Sequence, residues 1–235
     1  CAIDADADLL FAPTEHAAAN LRAEQVPGEI HVTGNTGIDA LLATAAQLSA
    51  PTLQDNGIPK ILVTCHRRES WHDGLESIAA AISELSAGGA AHFDVMLNPN
   101  SYVANNMRRL LGHEVGVSLI EPCGHDQLLL RMRDATLVLS DSGGIQEEAP
   151  ALGVPLLVLR DKTERPEGLA AGTARLVGTD KTRIVDEARR LLEDPGARAA
   201  MSRQVFPFGD GRAAPRIAEI IDDWLEERSL TRRLA

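Results

Sequence analysis

Short apolar segments and longer amphipathic segments alternate along almost the whole chain, and this alternation limits the folds that the chain can adopt. Runs such as 61–65, 136–140 and 155–160 are rich in Leu, Val and Ile and end at turn residues. Strands of this kind that alternate with helices of about ten or more residues indicate βαβ units and a parallel sheet. The predicted fold class is therefore α/β, with a doubly wound parallel sheet of the Rossmann-like type.

The same patterns place individual elements along the chain. Residues 1 to about 50 have the pattern of the tail of one unit, and 58 to about 205 that of a complete doubly wound domain. We predict strands at 9–13, 30–33, 61–65, 92–97, 117–122, 136–140, 155–160 and 174–178. We predict helices at 15–26, 38–48, 74–87, 102–112, 126–135, 145–149, 180–202 and 214–229.

Composition excludes several classes of partner. The formal net charge is −11, whereas nucleic acids and anionic membrane surfaces attract basic proteins. We therefore expect no nucleic-acid and no membrane partner. The sequence contains no apolar run of the roughly 18–20 residues that a membrane span needs and no signal-peptide pattern. Three cysteines without metal-ligand spacing fit a reducing compartment, so we expect a cytoplasmic protein without a metal site.

The segment VLSDSGGIQEEAP, residues 138–150, raises the first functional question. A buried strand ends at Ser140, and a helix begins directly after two glycines. Glycine lets a ligand approach the backbone closely, and the free N–H groups at a helix start attract anions. Glu147 and Glu148 follow, and such an acid can accept hydrogen bonds from ribose hydroxyls. The alternative is that the glycines only form a tight turn and that the acids only complement the helix dipole.

Three further segments follow predicted strands. The segment TCHRRES, 64–70, concentrates one histidine and two arginines, which suit phosphate binding, or it is a solvated loop whose arginines pair with Glu69. The loop 160–173 either closes over a ligand or carries surface ion pairs. We read 97–101 as turn chemistry and 206–215 as a crossover. Five histidines are read as structural: His16, His31, His92, His113 and His125.

These loops share one edge of the predicted sheet, because the carboxyl ends of parallel strands lie together. The loops after 61–65, 136–140 and 155–160 all carry groups that bind phosphate. The convergence of the three loops predicts a site for a nucleotide or a nucleotide sugar.

Several segments together resemble one family. They are VTGNTGIDALL (32–42), HRRES (66–70), LNPN (97–100), DSGGIQEEAPALGVPLLVLRDKTERPEG (141–168), AGTARLVGTDKTRIV (171–185) and GDGRA (209–213). In this order they are similar to the UDP-N-acetylglucosamine 2-epimerases of the non-hydrolysing, bacterial type. The similarity extends from about residue 9 to about residue 220.

The resemblance implies one half of a glycosyltransferase-B-like two-domain fold, with the amino-terminal domain largely missing. Residues 1–50 would be the tail of that domain and a hinge, 51–208 the nucleotide-binding domain, and 209–235 a crossover helix. The implied isomerase reaction interconverts UDP-N-acetylglucosamine (UDP-GlcNAc) and UDP-N-acetylmannosamine (UDP-ManNAc) by elimination and re-addition of UDP with inversion at C2. The family needs no cofactor and usually forms homodimers.

The resemblance also implies roles for individual residues. Ser142, Gly143 and Gly144 would hold the diphosphate, and Glu148 would accept the ribose hydroxyls. The phosphates and the departing UDP would lie against two cationic side chains, the catalytic His66 and the substrate-binding Arg165. Three neighbours in the same motif are possible contributors: Arg67, Arg68 and Glu69. The acid/base carboxylates of the family have no counterpart in this sequence.

Four places depart from the family pattern, and one of them is FPFGDG (206–211), where the family has NPYGDG. Cys65 replaces a usual glycine, Met96 replaces a histidine linked to a regulatory site, and Leu128 stands where an aromatic residue commonly faces the uracil. None of these departures removes the phosphate-binding residues, but the acid/base half is missing, and two alternatives to the epimerase stay open. The chain is a catalytically silent UDP-binding fragment, or it belongs to a hydrolysing 2-epimerase that releases ManNAc and UDP.

Overall fold

The structure, a computed structural model, describes residues 2–48, 57–65 and 73–234. The chain divides into two compact units, one formed by Cys1–Gln47 with Phe206–Ala235 and the other by Leu48–Val205. The roles predicted for 1–50, 51–208 and 209–235 stay a prediction. Among the described helices, none is both long and apolar enough to cross a membrane.

The described residues form eight strands and eleven helices. In chain order they are α1 (Ala2–Asp6), β1 (Leu9–Ala12), α2 (Glu15–Ala23), β2 (Glu29–Val32), α3 (Thr36–Gln47), β3 (Lys60–Thr64), α4 (Asp73–Ala87), β4 (His92–Met96), α5 (Ser101–Leu111), β5 (Val117–Ile120), α6 (His125–Asp134), β6 (Leu137–Ser140), α7 (Gly143–Leu152), β7 (Leu156–Val158), α8 (Pro166–Ala170), β8 (Ala174–Leu176), α9 (Lys181–Glu193), α10 (Pro195–Met201) and α11 (Ala213–Leu234).

The larger unit contains a six-stranded parallel sheet with the order β5-β4-β3-β6-β7-β8. Counted within this unit, the order is 3-2-1-4-5-6, which is the doubly wound arrangement. The strand order reverses between β3 and β6, where Thr64 lies opposite Ser140. The predicted fold class is therefore confirmed, and the reversal marks the place where such sheets bind ligands.

Helices cover this sheet on both faces, which explains why its two central strands, β3 and β6, are predominantly apolar. On one face Ile61, Val63 and Phe93 pack with α4, α5 and α9. On the other face Leu62 and Val138 pack with α6 and α7. Strands buried on both faces have nearly continuous apolar runs, and every residue of β6 is buried.

Two element predictions differ from the structure. The loop predicted over 160–173 contains a short helix, α8. The helix predicted over 180–202 is two helices, α9 and α10, separated at Asp194. Pro195 disfavours a helical conformation of the residue before it and is well accepted at the first position of a new helix. The Asp194 side chain accepts hydrogen bonds from Gly196 N at 2.8 Å and Ala197 N at 3.0 Å, and so caps α10.

In the smaller unit β1 pairs with β2 in parallel, and α11 begins against α3. The Asp39 carboxylate accepts hydrogen bonds from Ala213 N at 3.0 Å and Ala214 N at 2.7 Å. Asn35 N donates to Phe208 O at 2.8 Å. The segments around 33–37 and 206–213, far apart in sequence, therefore lie together and fix the start of α11.

We expect Asp39→Ala to lower the free energy of unfolding of this unit by about 1–2 kcal/mol, because two helix-start N–H groups lose their acceptor. Urea unfolding followed by circular dichroism measures the change. Asp186→Ala, which removes an exposed aspartate of α9, is the matched control and should change stability little. Equal stabilities of both variants would contradict this role of Asp39.

Candidate functional site

The carboxyl ends of β3 and β6 are joined by a buried hydrogen bond. The hydroxyls of Thr64 and Ser140 lie 2.7 Å apart, and both residues are fully buried. The Ser140 hydroxyl also accepts a hydrogen bond from Ser142 N at 3.0 Å. These contacts fix the path of the backbone from the switch point of the sheet into α7.

Helix α7 begins at this point with three small residues. Ser142 is the N-cap, with an extended backbone, and its side chain makes no capping hydrogen bond. Gly143 and Gly144 form the first turn, and Gly144 is exposed. The first N–H groups of a helix have no partner within the helix and carry partial positive charge. The predicted anion-binding residues therefore lie together at the switch point.

Backbone conformation does not require either glycine. Neither Gly143 nor Gly144 is among the described residues with positive φ. In the part of the chain that the structure describes, a Cβ atom at position 144 would meet only the Ser142 Oγ, at 3.9 Å. A Cβ atom at position 143 would lie 2.9 Å from Cζ of Arg165. A tight turn thus accounts for neither residue: the first leaves room for an arginine, and the second leaves the helix start open.

Arg165 is held over the start of α7 by two carboxylates. Its Nε donates to Glu147 Oε1 at 2.5 Å, and a terminal nitrogen donates to Glu164 Oε1 at 2.6 Å. Its backbone N–H donates to the Thr163 hydroxyl at 3.0 Å, which in turn donates to Gln146 Oε1. The loop after β7 does contain ion pairs, as the alternative held, and these pairs also fix a guanidinium beside Gly143.

Glu148, in the second turn of α7, pairs with His125, a histidine that the sequence pattern does not mark as functional. Oε1 of Glu148 lies 3.1 Å from Nε2 of His125. Burial raises the pKa of Glu148, the hydrogen bond and charge of His125 lower it, and the charge of Glu147 raises it, with a net upward shift. His125 is the first residue of α6, which starts at the same sheet edge as α7. This position at the carboxyl edge is the sequence feature that could have marked His125 as a candidate site residue.

Leu128 lies one turn further along α6. It is half-buried and packs against the core cluster that includes Ile145 and Ala149 of α7. Leu128, His125 and Glu148 are thus on neighbouring segments of α6 and α7. An aliphatic side chain in this position has no aromatic face to offer to a base.

The segment after β3 is only partly described. His66, Arg67, Arg68 and Glu69 lie outside the described residues. Cys65 is buried, and burial, with a smaller effect of the Asp141 charge, raises the pKa of its thiol well above the ordinary value. A thiol with a raised pKa is a poor nucleophile at neutral pH.

Residues 97–100 stabilise the end of β3. The Asn98 amide donates to Cys65 O at 3.1 Å, and its carbonyl accepts from Asn100 N at 2.8 Å. Asn100 in turn caps α5 through a 2.9 Å bond from Tyr102 N. These contacts are the turn and capping interactions that the sequence predicts. In the described part of the chain no group of three His, Cys, Asp or Glu side chains is arranged to hold a metal ion.

The strand order and the open helix start at the switch point define a class of protein. The chain is a doubly wound α/β protein, and proteins of this class bind ligands at the carboxyl edge of the sheet. A family model described as UDP-N-acetylglucosamine 2-epimerase matches residues 1–222. The chain belongs to the UDP-N-acetylglucosamine 2-epimerase family.

Characterised relatives cover almost the whole chain. It is 46% identical over 229 residues to the UDP-N-acetylglucosamine 2-epimerase of Salmonella typhimurium. The aligned region covers 91% of this chain and 60% of that protein. It is 43% identical over 226 residues to the UDP-N-acetylglucosamine 2-epimerase of Yersinia pestis. The aligned region covers 90% of this chain and 60% of that protein. The chain thus spans about 60% of the length of these curated relatives.

Solved structures agree with this assignment. The Neisseria meningitidis UDP-GlcNAc 2-epimerase bound to UDP-GlcNAc has a TM-score of 0.87 and 38% identity, over 92% of this chain and 62% of that one. The Methanocaldococcus jannaschii enzyme in complex with UDP-GlcNAc and UDP has a TM-score of 0.78 and 31% identity, over 92% and 61%. The predicted family and its half of a glycosyltransferase-B-like fold are therefore confirmed.

Proposed function

We propose that this protein interconverts UDP-GlcNAc and UDP-ManNAc by eliminating and re-adding UDP with inversion at C2, and that this chain supplies the UDP-binding half. The observation that carries the proposal is the start of α7. It combines the exposed Gly144, the Arg165 guanidinium beside Gly143, and the Glu148 carboxylate that is bonded to His125. Family membership and neighbours whose structures contain UDP-GlcNAc and UDP support the same ligand.

The proposed binding roles follow the chemistry of each group. The N–H groups of Gly143 and Gly144, with the Ser142 hydroxyl, donate to the diphosphate. Arg165 adds a charge-assisted donor at the phosphates. Glu148 accepts from the hydroxyls of the ribose.

The same donors lower the barrier to elimination. When the bond from C1 to the UDP oxygen breaks, negative charge accumulates on the departing diphosphate. Fixed donors aimed at that charge stabilise the transition state more than the ground state. We propose that His66 contributes there, with Arg67, Arg68 and Glu69 as possible neighbours. The proton at C2 is moved by groups that we assign to no residue of this chain.

The wider setting is also proposed. We place the protein in the cytoplasm, where nucleotide sugars are made, and we expect a homodimer. Light scattering during size-exclusion chromatography measures the molar mass and so tests for the homodimer. A monomeric mass at micromolar concentration would contradict it.

Titration calorimetry of the 235-residue chain tests the binding half. We expect UDP to bind at least about tenfold more tightly than uridine, because charge-assisted hydrogen bonds to the phosphates are the stronger contacts. Equal or absent binding of the two ligands would contradict the proposal.

Incubation of the complete gene product with UDP-GlcNAc tests the reaction, with products followed by NMR. UDP-ManNAc in equilibrium with the substrate is the expected result. Free ManNAc with UDP would indicate the hydrolysing reaction, and UDP release only with an added acceptor would indicate a glycosyltransferase. UDP binding without any product would mark a silent binding module.

A further inference from the structure

The contact between His125 and Glu148 joins two helices across 23 residues of sequence. Oε1 of Glu148 accepts from Nε2 of His125, 3.1 Å away, when that nitrogen carries its hydrogen. The Glu148 side chain is 19% exposed and the His125 side chain 45% exposed. One partner is therefore largely withdrawn from water, whereas the other can exchange protons with solvent.

A carboxylate has about four lone-pair positions, so one hydrogen bond from histidine leaves acceptors for two hydroxyls. The histidine contact fixes the rotation of the carboxylate, and fixed acceptors lose less conformational entropy when a ligand binds. A protonated Glu148 would instead present one hydroxyl donor and fewer acceptors. Recognition of a diol at this position therefore needs the ionised form.

The charges around the pair act in opposite directions. Glu147, the preceding residue on α7, raises the pKa of Glu148 through its charge, and burial has the larger effect in the same direction. Arg165 at the start of α8 is bonded to Glu147 and partly neutralises it. Asp126 on α6 adjoins His125, and α8 also carries Glu167. His125, in direct contact with Glu148, opposes these effects and lowers the pKa of Glu148.

We propose that His125 is a positioning residue that holds the Glu148 carboxylate ionised and oriented for the two ribose hydroxyls, and so sets the preference for ribonucleotides over 2′-deoxyribonucleotides and its dependence on pH. This inference rests on the proposed role of Glu148 in binding UDP. Its direction follows from linkage: diol binding is lost as pH falls through the pKa of Glu148. Removal of His125 lets that pKa rise, so the loss should begin at higher pH.

The test is the ratio of the dissociation constants of 2′-deoxy-UDP and UDP, measured by calorimetry between pH 5 and 8. The diphosphate titrates near pH 6, but it does so in both ligands, and its effect cancels in the ratio. For the unmodified protein we expect a ratio of about 10 at pH 7.5, since one hydrogen bond to a charged group is lost, and a decline toward acid pH.

Three variants separate the outcomes. His125→Ala should lower the ratio about fivefold at pH 6.5 and move its decline to higher pH. His125→Gln, which keeps a neutral donor, should restore much of the ratio at pH 7.5. His92→Gln is the matched control and should leave the ratio unchanged. It disrupts another histidine–carboxylate contact, in which Nε2 of His92 lies 3.5 Å from Oδ1 of Asp94 on β4.

Three results would count against the account, and they are distinguishable. If the unmodified protein binds UDP with a clear preference and His125→Ala follows the same pH curve, the role of His125 is wrong while the proposed function stands. If the unmodified protein binds UDP but does not distinguish the two ligands, the assignment of Glu148 is wrong. If it fails to bind UDP, the proposed function is wrong as well.

Discussion

Gly144→Leu should weaken UDP binding about 100-fold without destabilising the protein. A leucine side chain at this exposed position would fill the space from which a phosphate reaches the N–H groups of α7, and each lost charge-assisted hydrogen bond costs about 1.5–3 kcal/mol. Among the described residues, a Cβ at 144 meets only the Ser142 Oγ, at 3.9 Å. Leucine also favours a helix over glycine by up to about 1 kcal/mol.

Calorimetry with UDP and thermal unfolding of the same sample measure both halves of this result. Gly88→Leu is the matched control, since a Cβ there also meets nothing closer than 3.8 Å, and Gly88 follows α4. The control should bind UDP as the unmodified protein does. Unchanged UDP affinity in Gly144→Leu would contradict the proposal that the diphosphate binds at the start of α7. A strongly destabilised Gly144→Leu would contradict the open space described here.

The second large effect is expected at Glu148. Glu148→Ala should weaken UDP binding by about 1–3 kcal/mol, because the ribose hydroxyls lose a charged acceptor. Binding of inorganic pyrophosphate, which has no ribose, should stay unchanged. Glu193→Ala removes an exposed glutamate at the end of α9 and serves as control. An unchanged dissociation constant for UDP would return Glu148 to the role of a partner for the helix dipole and for His125.

Replacing Glu148 should affect the stability of the protein differently from its affinity for UDP. Folding raises the pKa of Glu148, so its ionised form is disfavoured in the folded protein. That penalty is absent below the ordinary glutamate pKa and is complete above the raised one. Glu148→Gln should therefore unfold at the same or a higher temperature at pH 7.5, and the difference should vanish in acid. A binding residue that disfavours the folded state is typical of functional sites.

The sequence predicted the sheet better than it predicted the helix ends. The predominantly apolar runs at 61–65 and 136–140 identified central strands, since burial on both faces favours such runs. The break at Asp194 was missed because apolar spacing continues across it. Proline at the first turn of a helix is compatible with that same spacing.

Within the site, local features were predictable and long-range pairs were not. The glycines after β6 indicated an anion site from their neighbours alone. Glu148 and its partner His125 are 23 residues apart in sequence, and Arg165 and its partner Glu147 are 18 residues apart. No periodicity links residues so far apart, because their approach depends on how α6, α7 and α8 pack on the sheet.

The central claim is that the backbone at the start of α7 binds the diphosphate of UDP. A crystal structure of the chain with UDP tests it most directly. We expect phosphate oxygens within about 2.7–3.2 Å of the N–H groups of Gly143 and Gly144, with the ribose beside Glu148. Well-defined density for UDP at any other place on the chain would contradict the claim.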